Sequence, residues 1–268
     1  MNTSHQRGLY VCERPVKDPR GLLVFIHGLG ESGLCFEHLL GHPGLREWHQ
    51  IVPDLPGYGR SLRMVDPLHL EEHADIIAEW LSEDVLTENE GPIVVVGHSM
   101  GGVIGLLLCE RHPYLGINFV NVEGNISKGD CQFSALAAVQ PENDFLSSGF
   151  DELRDRIFAE GQKDLAKRGY YVSLRLADPR AFHLNSLELL DISTKEDMAT
   201  RLAAVSPPAC YLVGVPNGIC ERSKELLTQA NVAWTAIEPA GHWPFLDQPE
   251  QFVSALQIFA KCLKTTER

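Results

Sequence analysis

The chain has 268 residues, 44% of them hydrophobic and 22% charged, a balance that suits a globular protein with a large buried core. Its formal net charge of −13 argues against nucleic-acid backbones and anionic membrane surfaces, which call for clustered Lys and Arg. The expected partner is a small neutral or weakly polar molecule, with no nucleic acid, membrane, cofactor or metal; oligomeric state is not legible.

The first seven residues have no apolar stretch of the leader-peptide kind, and runs such as 103–109, interrupted by Gly105, are far too short to span a bilayer. Seven cysteines are scattered at 12, 35, 109, 131, 210, 220 and 262 without a C-x-x-C pair. They suggest neither a disulfide framework nor a zinc knuckle, so a reducing cytoplasm is the expected location. The Asn125-Ile126-Ser127 sequon is then expected to stay unmodified.

Taken in chain order, short apolar runs at 22–26, 50–53, 93–96, 118–122, 209–213 and 232–237 read as strands buried on both faces. Helical segments alternate with them, which predicts an α/β fold with a mostly parallel, doubly wound sheet. Leu70, Ala74, Ile77, Leu81 and Val85 give residues 69–86 an amphipathic helical period. Phe252, Leu256, Phe259 and Leu263 mark a last helix, with Asp247 as candidate N-cap, Glu250 three residues on and Pro249 in the first turn. From 125 to 208 the alternation stops and the sequence turns helical and polar. The expected organisation is a core of 1–124 and 209–268 with a helical cap inserted at 125–208.

Gly97-His98-Ser99-Met100-Gly101-Gly102 directly follows the run at 93–96 and opens an apolar helix, the strand, turn and helix context of a G-x-S-x-G elbow. Such a turn strains the serine backbone, and Gly97 and Gly101 remove Cβ atoms that would collide. It also presents Ser99 Oγ and the Met100 amide at a helix N-terminus, where an oxyanion is stabilised. His98 is expected to pack against the sheet.

On this motif the sequence resembles the α/β-hydrolase superfamily, and three further blocks agree over nearly the whole chain except 125–208. His27-Gly28-Leu29-Gly30 resembles the family's H-G-x-G loop, which implies the Leu29 amide as second oxyanion donor. Asp54-Leu55-Pro56-Gly57-Tyr58-Gly59-Arg60-Ser61 resembles a site-shaping turn, with Asp54 structural. Ala240-Gly241-His242-Trp243-Pro244-Phe245 stands where the family keeps its catalytic histidine, so His242 is the expected general base.

The family's acid position reads Gly214-Val215-Pro216-Asn217, and an Asn cannot offset an imidazolium charge. Glu123, ending the strand at 118–122 and followed by Gly124, is the expected acid instead; Asn217, Glu221 and Asp191 are the alternatives. Ser99-Glu123-His242 would then be a variant triad of a capped serine hydrolase.

His69-Leu70-Glu71-Glu72-His73 matches a zinc-protease pattern, but it falls on an outer helix, and a solvated face is the expected reading. The resemblance implies hydrolysis of a small carboxylic ester, or a lactone, thioester or carbon–carbon bond beside a carbonyl. Slow receptors and cofactor-free lyases or perhydrolases share this fold and remain alternatives. Leu29, Met100 and Trp243 are expected to line the pocket. Phe145, Phe150, Phe158, Tyr170, Tyr171 and Phe182 are available for a roof.

Overall fold

A computed structural model describes residues 1–86, 91–207 and 209–263. Eight strands, β1 (Asn2–Gln6), β2 (Leu9–Arg14), β3 (Leu22–Ile26), β4 (His49–Asp54), β5 (Ile93–His98), β6 (Asn118–Val122), β7 (Cys210–Asn217) and β8 (Trp234–Gly241), form one sheet in the order 1-2-4-3-5-6-7-8. Pairing is parallel from β4 through to β8 and antiparallel only at β1–β2 and β2–β4. This is the expected doubly wound sheet. The central strands β3, β5 and β6 are buried at every residue, which explains why their sequences run apolar without alternation.

The β1–β2 hairpin is an addition to the expected strands. Its polar first strand lies at the sheet edge, and the Arg7-Gly8 turn carries both residues at positive φ, 49° and 83°, as a two-residue hairpin loop requires.

Helix α1 (Leu70–Trp80) stops short of the expected 69–86, because the chain widens into a π-type turn at Leu81–Val85. Its start is fixed by Glu72, whose carboxylate accepts from the His69 amide at 2.7 Å. Helix α2 (Met100–Arg111) is buried from Met100 through Leu108, pressed against the sheet behind β5 and β6.

Between β6 and β7 the chain makes the helices α3 (Ser134–Ala138), α4 (Phe150–Glu160), α5 (Leu165–Leu174), α6 (Pro179–Thr194) and α7 (Met198–Ala204). Asp164 and Asp178 cap α5 and α6, accepting from the amides of Ala166 and Arg180 at 3.0 and 2.9 Å. Polar bonds pin this insertion to the sheet's loops: Tyr58 donates to Asn185 at 2.7 Å, the Asp178 amide to Gly57 at 2.8 Å, and the Ser32 and Ser173 hydroxyls meet at 2.9 Å.

Helix α8 (Glu221–Gln229) joins β7 to β8, and α9 (Pro244–Asp247) and α10 (Pro249–Lys261) close the chain. The expected Asp247 N-cap is corrected here. Gln248 occupies that position, and Asp247 instead ends α9 and accepts from the Gly241 amide at 2.8 Å, which holds the loop carrying His242. Among the described residues no helix is long and apolar enough to cross a membrane.

The C-terminal ends of β3, β5, β6 and β8 open onto one crevice beneath the insertion, where parallel sheets of this kind place their ligands.

Candidate active site

Ser99 leaves β5 with φ 52° and ψ −118°, outside the regions that L-residues favour, and α2 starts at the next residue. Its amide donates to Val122 at 2.9 Å and its carbonyl accepts from Gly102 at 2.8 Å. The turn depends on its glycines: a Cβ at Gly97 would lie 2.2 Å from the Gly101 carbonyl, and one at Gly101 would lie 2.2 Å from that of Ile26.

Glu123, next after β6, is held at φ 52° and is 1% exposed. One carboxylate oxygen accepts from the Gly214 amide at 2.7 Å, and the other lies 3.4 Å from Nδ1 of His242. Asn217 is exposed at the end of β7, where its backbone pairs with Gly241. Asp191 and Glu221 are exposed and engaged with Lys195 and Lys224. Of the four candidate acids, Glu123 is the one facing the His242 ring.

Ser99 and His242 line the same inner cavity, of about 20 Å³, together with Gly28, Leu29, Glu31, His98, Asn125, Phe133, Tyr170 and Trp243. That is room for about one water. An outer groove of about 740 Å³ lies beyond it, walled by α4 and α5 on one side and by the β7 and β8 ends on the other. Phe133, His242 and Trp243 border both spaces.

Leu29 and Trp243 thus line the cavity as expected. The Met100 side chain does not: it is fully buried, with Sδ 4.0 Å from the Tyr58 hydroxyl, because the first residue of α2 turns toward the core. Among the candidate roof aromatics Tyr170 reaches the cavity, whereas Phe145, Phe150 and Phe182 pack on one another at 5.5–5.9 Å inside the insertion. Phe158 packs on Tyr171 at 5.1 Å with the rings tilted, near the surface. Phe133, which nothing in its local sequence marked, packs instead on Tyr170 and Trp243.

Glu31 and His98 form a second polar centre that sequence reasoning missed. His98 is buried as expected but does more than pack: Nδ1 meets a Glu31 oxygen at 2.9 Å and Nε2 meets the His242 carbonyl at 2.8 Å. An ionised carboxylate and a carbonyl only accept, so both ring nitrogens donate and the ring is an imidazolium. Burial opposes that charge, but the charge and hydrogen bond of Glu31, with the His242 carbonyl, outweigh it and raise the His98 pKa. Burial likewise works against ionised Glu31, yet His98, the Trp243 indole N–H and the Gly28 amide hold its pKa down at about 2. One buried ion pair therefore ties the Gly28 loop, the elbow and the His242 loop together. The available signal was His98 inside one matching motif block and Glu31 directly after another.

Asp54 is fully buried and accepts from the Gly33 and Arg60 amides at 2.6 and 2.7 Å, so it holds the 54–61 turn. The solvated-face expectation for the two helix histidines holds for His69 and fails for His73. His69 is exposed and meets Glu188 at 2.9 Å, whereas His73 is fully buried, since the two fall on different sides of the start of α1. Burial pushes the His73 pKa down to about 3, so its ring is neutral.

The chain is 23% identical over 252 residues to a pimeloyl-[acyl-carrier protein] methyl ester esterase of Aeromonas hydrophila, covering 88% of this chain and 94% of that protein. It is 24% identical over 250 residues to a 2-succinyl-6-hydroxy-2,4-cyclohexadiene-1-carboxylate synthase of Pectobacterium atrosepticum, covering 88% and 92%. Among solved structures, the enol-lactonase from Burkholderia xenovorans LB400 superposes with a TM-score of 0.74 at 16% identity, covering 97% of this chain and all of that one. The model of the alpha/beta hydrolase family matches residues 23–255. With the elbow, the strand order and this match over most of its length in agreement, the chain belongs to the alpha/beta hydrolase family.

Proposed function

We propose that the protein is a serine hydrolase that cleaves a small carboxylic ester, or a lactone, thioester or carbon–carbon bond beside a carbonyl. Ser99 Oγ attacks the carbonyl after His242 takes its proton, and His242 returns that proton to the leaving group. The acyl-enzyme is then hydrolysed by a water that His242 activates in the same way. Glu123 orients His242 and offsets its charge, as its buried carboxylate at Nδ1 allows. The amides of Leu29 and Met100 hold the oxyanion, and Trp243 contacts the substrate. Residues 125–208 serve as a cap on a core of 1–124 and 209–268, though 87–90, 208 and 264–268 lie outside the described residues. Seven unpaired thiols suit a reducing compartment such as the cytoplasm.

The observation that carries this reading is the strained Ser99 at a helix N-terminus, sharing a cavity with a histidine that a buried glutamate faces. Two relatives also bear on it, one named as a methyl ester esterase and the other, in its solved structure, as an enol-lactonase. The test is the intact mass after incubation with a fluorophosphonate, followed by peptide mapping. A single adduct on Ser99, absent in Ser99→Ala, is expected; no adduct on the native protein defeats the assignment. The relative named as a synthase supports a second reading, a cofactor-free lyase. Product analysis separates the two, since every one of these hydrolyses incorporates a water oxygen into a new carboxylic acid and elimination does not.

A further inference from the structure

Buried polar atoms are nearly always paired, so an orphan beside a reacting group points to a ligand. Asn125 and Tyr170 are each 4% exposed and line the inner cavity with Ser99. Asn125 Oδ1 and the Tyr170 hydroxyl are buried with no hydrogen-bond partner among the described residues.

The chemistry of the neighbours fixes which end of the Asn125 amide is free. The Cys131 thiol spends its proton on the Leu189 carbonyl at 3.7 Å, which leaves the sulfur as an acceptor. Asn125 Nδ2 donates to that sulfur at 3.5 Å, so Oδ1 is the atom left over for the cavity. The loop that carries it is rigid. Asp130 accepts from the Ile126 and Ser127 amides at 2.9 and 3.1 Å and from Ser223 on α8 at 2.6 Å.

Tyr170 approaches from α5 on the other side. A Cβ on Gly30 would lie 2.9 Å from its hydroxyl, and its ring packs on Phe133 and Trp243 at 5.1 and 5.6 Å. Burial, followed by the charge of Glu31, raises its pKa well above the ordinary tyrosine value, so it stays an O–H donor.

We propose that the substrate carries, beside its scissile carbonyl, a polar group with a hydrogen-bond donor, an acylamino N–H or a hydroxyl, that Asn125 Oδ1 accepts and Tyr170 complements. This rests on the ester-hydrolase reading above. Oδ1 can only accept, so the ligand must donate, while the Tyr170 hydroxyl donates to an acceptor such as the amide carbonyl or the same hydroxyl. A plain alkyl ester would bury both orphans unpaired. Sites built around such hydrogen bonds reject the analogue lacking them far more strongly than apolar pockets reject a missing methylene.

The experiment compares kcat/KM on methyl pentanoate, methyl 2-hydroxypentanoate and methyl N-acetylalaninate, for the native protein, Asn125→Leu and Tyr170→Phe. Rates are expressed per Ser99 reactive toward a fluorophosphonate, so a poorly folded variant is not mistaken for a selective one. The native protein is expected to favour one of the two polar esters by about 10²-fold or more. Each substitution should cut that preference about tenfold or more. Equal rates on the plain ester, or a preference that neither substitution changes, overturns the proposal while leaving the hydrolase reading standing. No labelling and no turnover of any ester by the native protein defeats the hydrolase reading and the proposal with it.

Discussion

Glu123 and Asn217 offer a direct contest at the level of single side chains. The carboxylate is buried, bonded to the Gly214 amide and 3.4 Å from His242 Nδ1; the amide is exposed on a strand end. Glu123→Gln should lower kcat by about 10²- to 10⁴-fold with KM little changed, since a neutral amide cannot offset the imidazolium. Asn217→Ala should stay within about twofold, because it is an exposed surface substitution; steady-state kinetics on one ester checks both. Glu31→Gln should cost about 3 kcal/mol in denaturant unfolding, because it leaves buried His98 without its counter-charge. Its pH signature has a definite sign. The folded pKa of Glu31, about 2, lies below the ordinary 4.5, so its contribution is fully present above about pH 4.5 and fades as pH falls toward 2. The variant should lose that part of the acid slope. Ser99 and His242 were legible because their neighbours in sequence are also their neighbours in the turn. Glu31 and Phe133 were not: the His98 and Trp243 partners of Glu31 lie 67 and 212 residues away, and Phe133 meets Tyr170 and Trp243 only in the fold, while Asn125 stood out only as part of a sequon.

The apolar period of α1 revealed the helix, yet it concealed what the buried face contains. His73 is inside, beside Tyr58, with its pKa lowered by burial from 6.5 to about 3. A base whose folded pKa is depressed lets the unfolded chain take the proton first, so stability falls as pH drops from about 6.5 toward 3. His73→Leu should flatten that part of the profile, gaining about 2 kcal/mol relative to the native protein at pH 5 against pH 7. Urea unfolding at the two pH values measures it, and parallel profiles would refute it. The same period ran past the helix end, because apolar spacing alone does not separate an α-turn from the π-type turn at Leu81–Val85. The final helix shows the converse: Asp247 looked like a cap by residue type, but the Gly241 amide claims its carboxylate. The β1–β2 hairpin escaped notice since its edge strand is polar and its turn is one Arg-Gly pair.

Across the whole molecule, the mostly parallel sheet was legible because buried parallel strands write themselves as unbroken apolar runs, whereas the order of its strands was not. The insertion was legible only as an interruption of that rhythm, and its attachment through Tyr58, Ser32 and Gly57 was not, as those bonds span more than a hundred residues. Phe133 and Trp243, together with His242, border both the wide outer groove and the one-water chamber that Ser99 lines. On the hydrolase reading, arrival in the groove and reaction at Ser99 would be separate events in time, joined by the swing of one of these aromatic rings. Turnover would then include a waiting time that belongs to neither diffusion nor chemistry. Phe133→Ala should shorten it, so a bulky fluorophosphonate labels that variant several-fold faster while a small one gains less. Selectivity in this protein would then be partly a matter of how long a molecule lingers at the door.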